Sequence, residues 1–222
     1  MSKPKNWPDT LPYLRAPLHA KEITSAQKQA LRARPDAGST IPIIDAASTS
    51  TPCDKVKIQP IKDASHPANG QYGLFASQNI KPGSFIMAYL GKVHSGSLAA
   101  SDPTSASAKS DYDLWLDRDA DVAVDAAREG NEARFVNDYR GIGTKANAEF
   151  RPVWCQRWGE LCVGVWAISG RQQKGKGAAE KNSGIRKGEE ILISYGKGFW
   201  EERRREQAGE EEADETVDGT TV

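Results

Sequence analysis

Two glycine-rich segments come closest to a ligand-binding motif. Residues Gly170–Gly177 read GRQQKGKG and nearly match a phosphate-binding loop, but Gly177 stands where the motif needs a Ser or Thr for magnesium. The residues that follow show no amphipathic helix whose amino end could hold a phosphate. Residues Gly141–Ala146 fit the dinucleotide pattern G-x-G-x-x-A, but a turn rather than a strand precedes them. We interpret both segments as loops, and nucleotide or nucleic-acid binding through the basic residues of 174–187 is a minor alternative.

The residues needed for hydrolytic or metal chemistry are scarce. The three histidines and three cysteines are scattered, no two cysteines have C-x-x-C spacing, and no G-x-S-x-G elbow occurs. This composition predicts no metal site and no disulfide framework, and it is typical of a reducing compartment. Carboxylates are abundant between Asp102 and Asp125, where they either form a solvated acidic edge or contribute to a site.

Four segments in a fixed order carry the clearest chemical signal. Gly70 and Gly73 flank a turn at which a backbone without Cβ atoms can approach a ligand, and Asn137 offers an amide that both donates and accepts. Three of the segments also contain tyrosine. The segments are 70–91 (GQYGLFASQNIKPGSFIMAYLG), 112–117 (YDLWLD), 124–138 (VDAAREGNEARFVND) and 165–196, which begins VWAI and ends IRKGEEILISYG.

Together these segments resemble the SET domain of protein lysine methyltransferases, over about residues 56–200. The resemblance implies a mostly β fold of small curled sheets with few short helices. It also implies a pseudoknot in which Arg134–Asn137 threads beside Ile191–Tyr195. In this family S-adenosylmethionine binds on one side and the target lysine enters a channel from the other. The implied function is therefore methyl transfer from S-adenosylmethionine to a lysine ε-amine, with a histone tail as one candidate substrate.

The resemblance assigns a role to each matching residue. It implies that Tyr195 and Tyr112 are catalytic, and that Tyr112, Tyr89 and Phe199 line the lysine channel. Phe199 and Trp200 stand where relatives carry a zinc-binding, cysteine-rich segment, so an aromatic ring here is expected to cover the adenine or the channel. The implied cofactor-binding residues are Gln71, Tyr72, Gly73, Arg134, Phe135, Asn137, Asp138 and Trp200.

Several departures from the family pattern leave a second interpretation open. Gln71 and Tyr72 lie between the two glycines, which makes the turn one residue longer than the usual Gly-x-Gly. Asp138 stands where a His usually follows the motif asparagine, and Ser194 replaces the acidic residue before the last tyrosine. The alternative function is a catalytically inactive SET module that binds a peptide or a partner protein.

The elements that must position these residues are mainly short strands. Hydrophobic alternation and Pro/Gly turns predict strands at 56–61, 72–77, 84–90, 113–116, 122–125, 148–154, 161–168 and 191–195. A helix is predicted over Thr24–Arg34, because Thr24 or Ser25 can cap it and Pro35 ends it. Residues 91–110 and 170–184 are predicted to be flexible insertions. We therefore divide the chain into a partly ordered amino-terminal arm (1–55), a SET domain (56–200) and a charged helix with an acidic tail (201–222).

The charge of the chain limits the classes of partner that it can bind. The 222 residues contain 30 Lys and Arg and 30 Asp and Glu, and this balance excludes a uniformly basic nucleic-acid binder. A local cluster predicts an acidic rim that attracts a basic protein or peptide; its members are Asp111, Asp113, Asp117, Asp119 and Asp121. The sequence has no apolar run long enough for a membrane span, and its first residues lack the apolar core of a secretory signal. We expect an intracellular protein, with the nucleus favoured over the cytoplasm.

Overall fold

Short strands dominate the computed structural model, which describes residues 3–97, 110–169, 184–196 and 200. The strands are β1 (Leu18–His19), β2 (Ile43–Ile44), β3 (Val56–Pro60), β4 (Tyr72–Ala76), β5 (Phe85–Tyr89), β6 (Lys92–Ser95), β7 (Asp113–Asp117), β8 (Val122–Asp125), β9 (Asn137–Asp138), β10 (Ala148–Cys155), β11 (Glu160–Ala167) and β12 (Leu192–Ile193). Within the described ranges the helical elements include α1 (Ser25–Arg32) and two 3₁₀ turns, Ala47–Thr49 and Glu132–Phe135. The expectation of a mostly β fold with few short helices is confirmed.

The strands form four small sheets. One has the order β1-β6-β8-β7, a second has the order β2-β10-β11-β5, and β3 pairs with β4 as an antiparallel hairpin. The centre of the second sheet is β11, in which every residue is buried. This burial explains the nearly continuous apolar sequence of this strand.

The fourth sheet is the predicted knot. Strands β9 and β12 pair in parallel, with Asn137 opposite Leu192 and Asp138 opposite Ile193. Asn147 reinforces the pairing, because its side-chain amide donates to the carbonyl of Glu190 and its oxygen accepts from the amide of Leu192, each at 2.8 Å. Two segments far apart in sequence therefore lie side by side.

The prediction of a flexible insertion over residues 91–110 is partly wrong. Residues Lys92–Ser95 form β6, which pairs with both β1 and β8. Although His94 and Ser95 are polar, both are buried, and they bond to carboxylates: His94 Nε2 to Asp113 at 2.9 Å, and Ser95 Oγ to Asp121 at 2.5 Å. Satisfied polar side chains are thus compatible with a buried strand here. Residues 98–109, the second insertion from 170 to 183, and the predicted tail lie outside the described residues.

The amino-terminal arm packs on the sheets at several points. The indole of Trp7 is 6% exposed and meets the ring of Phe135 edge-on, with 5.7 Å between centroids. The hydroxyl of Tyr13 donates to the buried carboxylate of Glu132 at 3.0 Å. Further along, the amide of Leu14 donates to the carbonyl of Gly130 at 2.7 Å. The arm therefore braces the 3₁₀ turn that leads into β9.

Helix α1 follows the predicted start. Thr24 is its N-cap, and a capping box joins the Thr24 side chain to the backbone of Gln27 while the Gln27 side chain accepts from the backbone of Thr24. The helix ends at Arg32, slightly before Pro35, and the side chain of Leu31 is buried. Among the described residues no helix has the length and hydrophobicity needed to cross a membrane.

Candidate active site

Three tyrosines from different segments meet beside the knot. Tyr89 ends β5, Tyr112 precedes β7 and Tyr195 follows β12. The hydroxyl of buried Tyr89 donates to the carbonyl of Tyr112 at 2.7 Å, and the hydroxyl of Tyr195 donates to the carbonyl of Val136 at 2.8 Å. Tyr195 also lies close enough to Tyr89 and Tyr112 to interact with both electrostatically, so the fold brings together the three tyrosines that the sequence singled out.

Burial keeps the phenols of Tyr89 and Tyr195 neutral. Burial raises the pKa of Tyr195 well above its ordinary value, and the neighbouring Tyr112 and Asp138 raise it further. The pKa of Tyr89 is also raised, mainly by burial and then by the charge of Asp125. Neither hydroxyl can therefore serve as a phenolate base near neutral pH, and their roles are limited to hydrogen bonding and shape.

Arg134 connects the tyrosines with the turn before the knot. Its guanidinium carbon lies 4.5 Å from the ring centroid of Tyr112 and 5.0 Å from that of Phe135. Its Nε also donates to the carbonyl of Ala126 at 3.0 Å. A guanidinium stacked on two rings and held by a backbone carbonyl stabilises the relative positions of these aromatic groups.

The β3–β4 hairpin supplies the predicted cofactor turn. The ring of Tyr72 is 37% exposed and meets Phe135 edge-on at 6.0 Å. Gly73 is buried beneath the side chain of Glu190, where a Cβ atom would collide with a carboxylate oxygen. This close approach explains why glycine is needed at position 73. Gln71 is exposed at the start of the hairpin, and its carbonyl accepts from the amide of Ile61 at 2.9 Å.

Asn137 and two residues that the sequence did not single out form a short polar chain. The amide nitrogen of Asn137 donates to Glu190 Oε1 at 2.8 Å, and Glu190 Oε2 lies 3.1 Å from His66 Nε2. Glu190 lies within a segment that carried the family resemblance, but nothing in the local sequence marks His66. The two partners are 124 positions apart, so only the fold reveals their contact.

Asp138 links the knot to the residues after it. Its Oδ2 accepts from the backbone amide of Tyr195 at 2.7 Å and from the indole of Trp200 at 3.3 Å. Its Oδ1 accepts from the backbone amide of Arg140 at 2.8 Å, and the Arg140 guanidinium reaches Oδ2 at 3.0 Å. The carboxylate at the position of the family histidine therefore ties Tyr195 and Trp200 to β9. Phe199 lies outside the described residues.

The predicted acidic rim is partly engaged within the protein. Asp113 contacts His94, whose pKa is raised although burial opposes this, because the carboxylate bonds to it. Asp121 accepts hydrogen bonds from Ser95 and Ser97, which lower the pKa of its carboxyl. Asp111 and Asp119 are exposed. No group of three or more His, Cys, Asp or Glu suited to a metal ion occurs within the described ranges.

A family model described as "SET domain" matches residues 71–196. Solved structures that resemble the chain include Chaetomium thermophilum Polycomb Repressive Complex 2 bound to GSK126, with 23% identity and a TM-score of 0.46 over 65% of this chain and 16% of that chain. An autoinhibited ctPRC2 bound to S-adenosylmethionine shows 25% identity and a TM-score of 0.45 over 65% of this chain.

The chain spans only 15% of the length of that second solved chain. A comparison with curated proteins gives no match. The family match covers more than half of the sequence and includes the hairpin turn, the knot and all three tyrosines. On this ground, the chain belongs to the SET domain family.

Proposed function

We propose that the chain is an S-adenosylmethionine-dependent protein lysine N-methyltransferase. The observation that carries the proposal is the meeting of Tyr89, Tyr112 and Tyr195 beside the β9–β12 knot in a member of the SET family. In this proposal Tyr195 and Tyr112 act on the substrate amine, while Tyr89 and Phe199 line the channel with Tyr112. The acceptor is a basic protein, such as a histone.

The residues around the knot suit S-adenosylmethionine in their chemistry. Tyr72 and Trp200 offer aromatic rings for a purine, and Asn137 offers an amide. When bound, S-adenosylmethionine supplies an electrophilic methyl group. The residues proposed to hold it are Gln71, Tyr72, Gly73, Arg134, Phe135, Asn137, Asp138 and Trp200.

The protein must present a neutral, oriented amine. A free lysine has a pKa of about 10.4, so its amine is almost fully protonated at pH 7. A channel lined by tyrosine rings disfavours the ammonium through desolvation, and the proton can leave to solvent without a protein base. The Tyr195 hydroxyl donates to the carbonyl of Val136, and a phenol oxygen is also a hydrogen-bond acceptor for an amine. Orientation of the amine then provides most of the rate enhancement.

The acidic rim supports a basic substrate. Asp111 is exposed beside the proposed channel residue Tyr112 before β7, and Asp119 is exposed beyond the opposite end of the strand. Such charges accelerate the encounter with a cationic peptide, and salt screens them. We expect the KM for a lysine-containing basic peptide to rise with ionic strength. A KM that is the same at low and high salt would contradict the role of the acidic rim in attracting the peptide.

Calorimetric titration with S-adenosylmethionine tests the proposal. We expect the wild-type chain to bind it, and the Tyr195→Phe variant to bind with nearly the same affinity because the hydroxyl acts on the amine. Absence of binding at high micromolar concentrations would reject the methyltransferase. A folded wild-type chain that binds a basic peptide but not the cofactor would instead support the inactive binding module.

A further inference from the structure

The side-chain amide of Asn137 has a defined orientation. Its nitrogen donates to Glu190 Oε1 at 2.8 Å and to the carbonyl of Tyr72 at 3.4 Å. Both partners are acceptors, so the NH₂ group must face them. The amide oxygen therefore points away from Glu190 and is presented as an acceptor.

Glu190 is in turn held by His66. Their side chains are each 9% exposed, and His66 Nε2 lies 3.1 Å from Glu190 Oε2. The backbone amide of Ala68 donates to His66 Nδ1 at 3.0 Å, so Nδ1 is an acceptor without a proton. Nε2 consequently carries the ring hydrogen and donates it to Glu190. The loop between β3 and β4 thus fixes both the tautomer and the direction of the histidine.

The carboxylate is held through both of its oxygens, Oε1 by Asn137 and Oε2 by His66. Glu190 Oε1 also lies against Gly73, which has no Cβ atom to displace it. The backbone of Glu190 is also bound, because its carbonyl accepts from Asn147 next to β12. A carboxylate packed on the cofactor turn and held by a histidine is a rigid acceptor for Asn137.

We infer that His66 and Glu190 are positioning residues that lock the Asn137 amide with its oxygen turned toward an N–H group of the cofactor. The inference rests on the proposed function. The histidine contributes a single directed hydrogen bond, so a glutamine that carries a donor at a similar reach can replace it. A glutamine at position 190 cannot replace the carboxylate, because its amide would allow Asn137 to flip.

The decisive experiment compares the dissociation constant of S-adenosylmethionine among matched variants. We expect Glu190→Gln and His66→Ala to weaken binding about tenfold, the usual scale for one misdirected polar contact. His66→Gln should restore most of the affinity. The KM for the peptide should remain unchanged in all three, because the amide faces the cofactor.

A second histidine–glutamate pair provides the control. His19 Nε2 lies 3.1 Å from Glu160 Oε2, between β1 and β11 and away from Asn137. Glu160→Gln should leave cofactor affinity within twofold of wild type. Equal weakening by Glu160→Gln, equal defects in His66→Gln and His66→Ala, or wild-type affinity in Glu190→Gln would each overturn the inference.

A ligand-free readout separates this inference from the proposed function. In the wild-type protein, the two side-chain amide protons of Asn137 should show slow solvent exchange by nuclear magnetic resonance, since both acceptors lie on that side. Glu190→Gln should accelerate this exchange. If the wild-type chain binds no cofactor but its Asn137 amide protons exchange slowly, the proposed function fails, while the fixed orientation of Asn137 by Glu190 and His66 is supported. Fast exchange of these protons in the wild type would contradict the fixed orientation of the Asn137 amide.

Discussion

The amino-terminal arm and the residues after the knot are attached to the same part of the molecule in different ways. The arm uses separate contacts spread over its length: the buried Trp7, the Tyr13 hydroxyl on Glu132, and the pairing of β1 with β6. By contrast, Tyr195 and Trp200 share one carboxylate, that of Asp138. The arm therefore resembles part of the folding core, while the later residues share one polar link to Asp138 in addition to contacts such as that of the Tyr195 hydroxyl with Val136.

This difference separates stability from activity. Loss of an arm contact removes buried apolar surface and should lower the free energy of unfolding. Loss of the Asp138 link should mainly misplace Tyr195 and Trp200, the residues proposed to act at the amine and the adenine.

The largest effect on stability is expected for Trp7→Ala. The indole is 6% exposed and contacts both Tyr13 and Phe135, so its removal should cost about 3–5 kcal/mol of unfolding free energy. Urea unfolding measures this cost. Trp115→Ala is the control, because Trp115 is 43% exposed and its loss should cost less than about 1 kcal/mol. Similar costs for the two variants would show that the arm is not part of the core.

The next effect concerns pH and the attachment of β1. Burial raises the pKa of Glu160 to about 7, while burial and the nearby Arg32 lower the pKa of His19. Opposite shifts of this kind describe a largely neutral pair rather than an ion pair, even though the atoms lie 3.1 Å apart. Between pH 4.5 and 7 the folded state keeps the Glu160 proton that the unfolded state releases.

Glu160 should therefore lower wild-type stability as pH rises through this window, while His19, whose pKa is lowered, acts in the opposite direction below pH 6.5. Glu160→Gln removes only the Glu160 titration, so the unfolding free energy of the variant relative to wild type should rise from pH 5 to pH 8. Denaturant unfolding at several pH values provides the measurement. Parallel pH curves for the two proteins would contradict the assignment of a raised pKa to this buried carboxyl.

A smaller stability effect, with a larger effect on activity, is expected for Asp138→Asn. An asparagine keeps an oxygen that can accept from the Tyr195 amide, but it weakens the contacts with Arg140 and Trp200. Stability should fall by about 1–2 kcal/mol. Methyl transfer should decline about tenfold or more, because Tyr195 and Trp200 lose their shared anchor. Full activity in this variant would show that the link does not position these residues.

The sequence predicted the strands best where apolar alternation was strong. Strand β8 has the predicted bounds, and β10 and β11 differ by one residue at their ends. Strand β6 was missed because its buried polar residues are satisfied by Asp113 and Asp121, which follow a long gap in the chain. Burial that depends on distant partners leaves no local pattern.

The knot and the proximity of the three tyrosines were predictable, because these residues lie in segments with a recognisable order, while their roles stay a prediction. The contacts that orient them were not. Tyr13 and Glu132 are 119 positions apart, and His66 and Glu190 are 124 apart. The role of Asp138 was also hidden, since only the fold shows which groups its two oxygens accept from.

The most direct test of the central claim is mass spectrometry of a lysine-containing basic peptide incubated with S-adenosylmethionine and either the wild-type chain or Tyr195→Phe. We predict that the wild type adds one or more methyl groups to a lysine ε-amine. The folded Tyr195→Phe variant should lose at least about a hundredfold in turnover or change the number of methyl groups added, in line with the loss of an orienting hydroxyl. Equal methylation by both proteins, or none by a folded wild type that binds the cofactor across a broad set of basic peptides, would contradict the account.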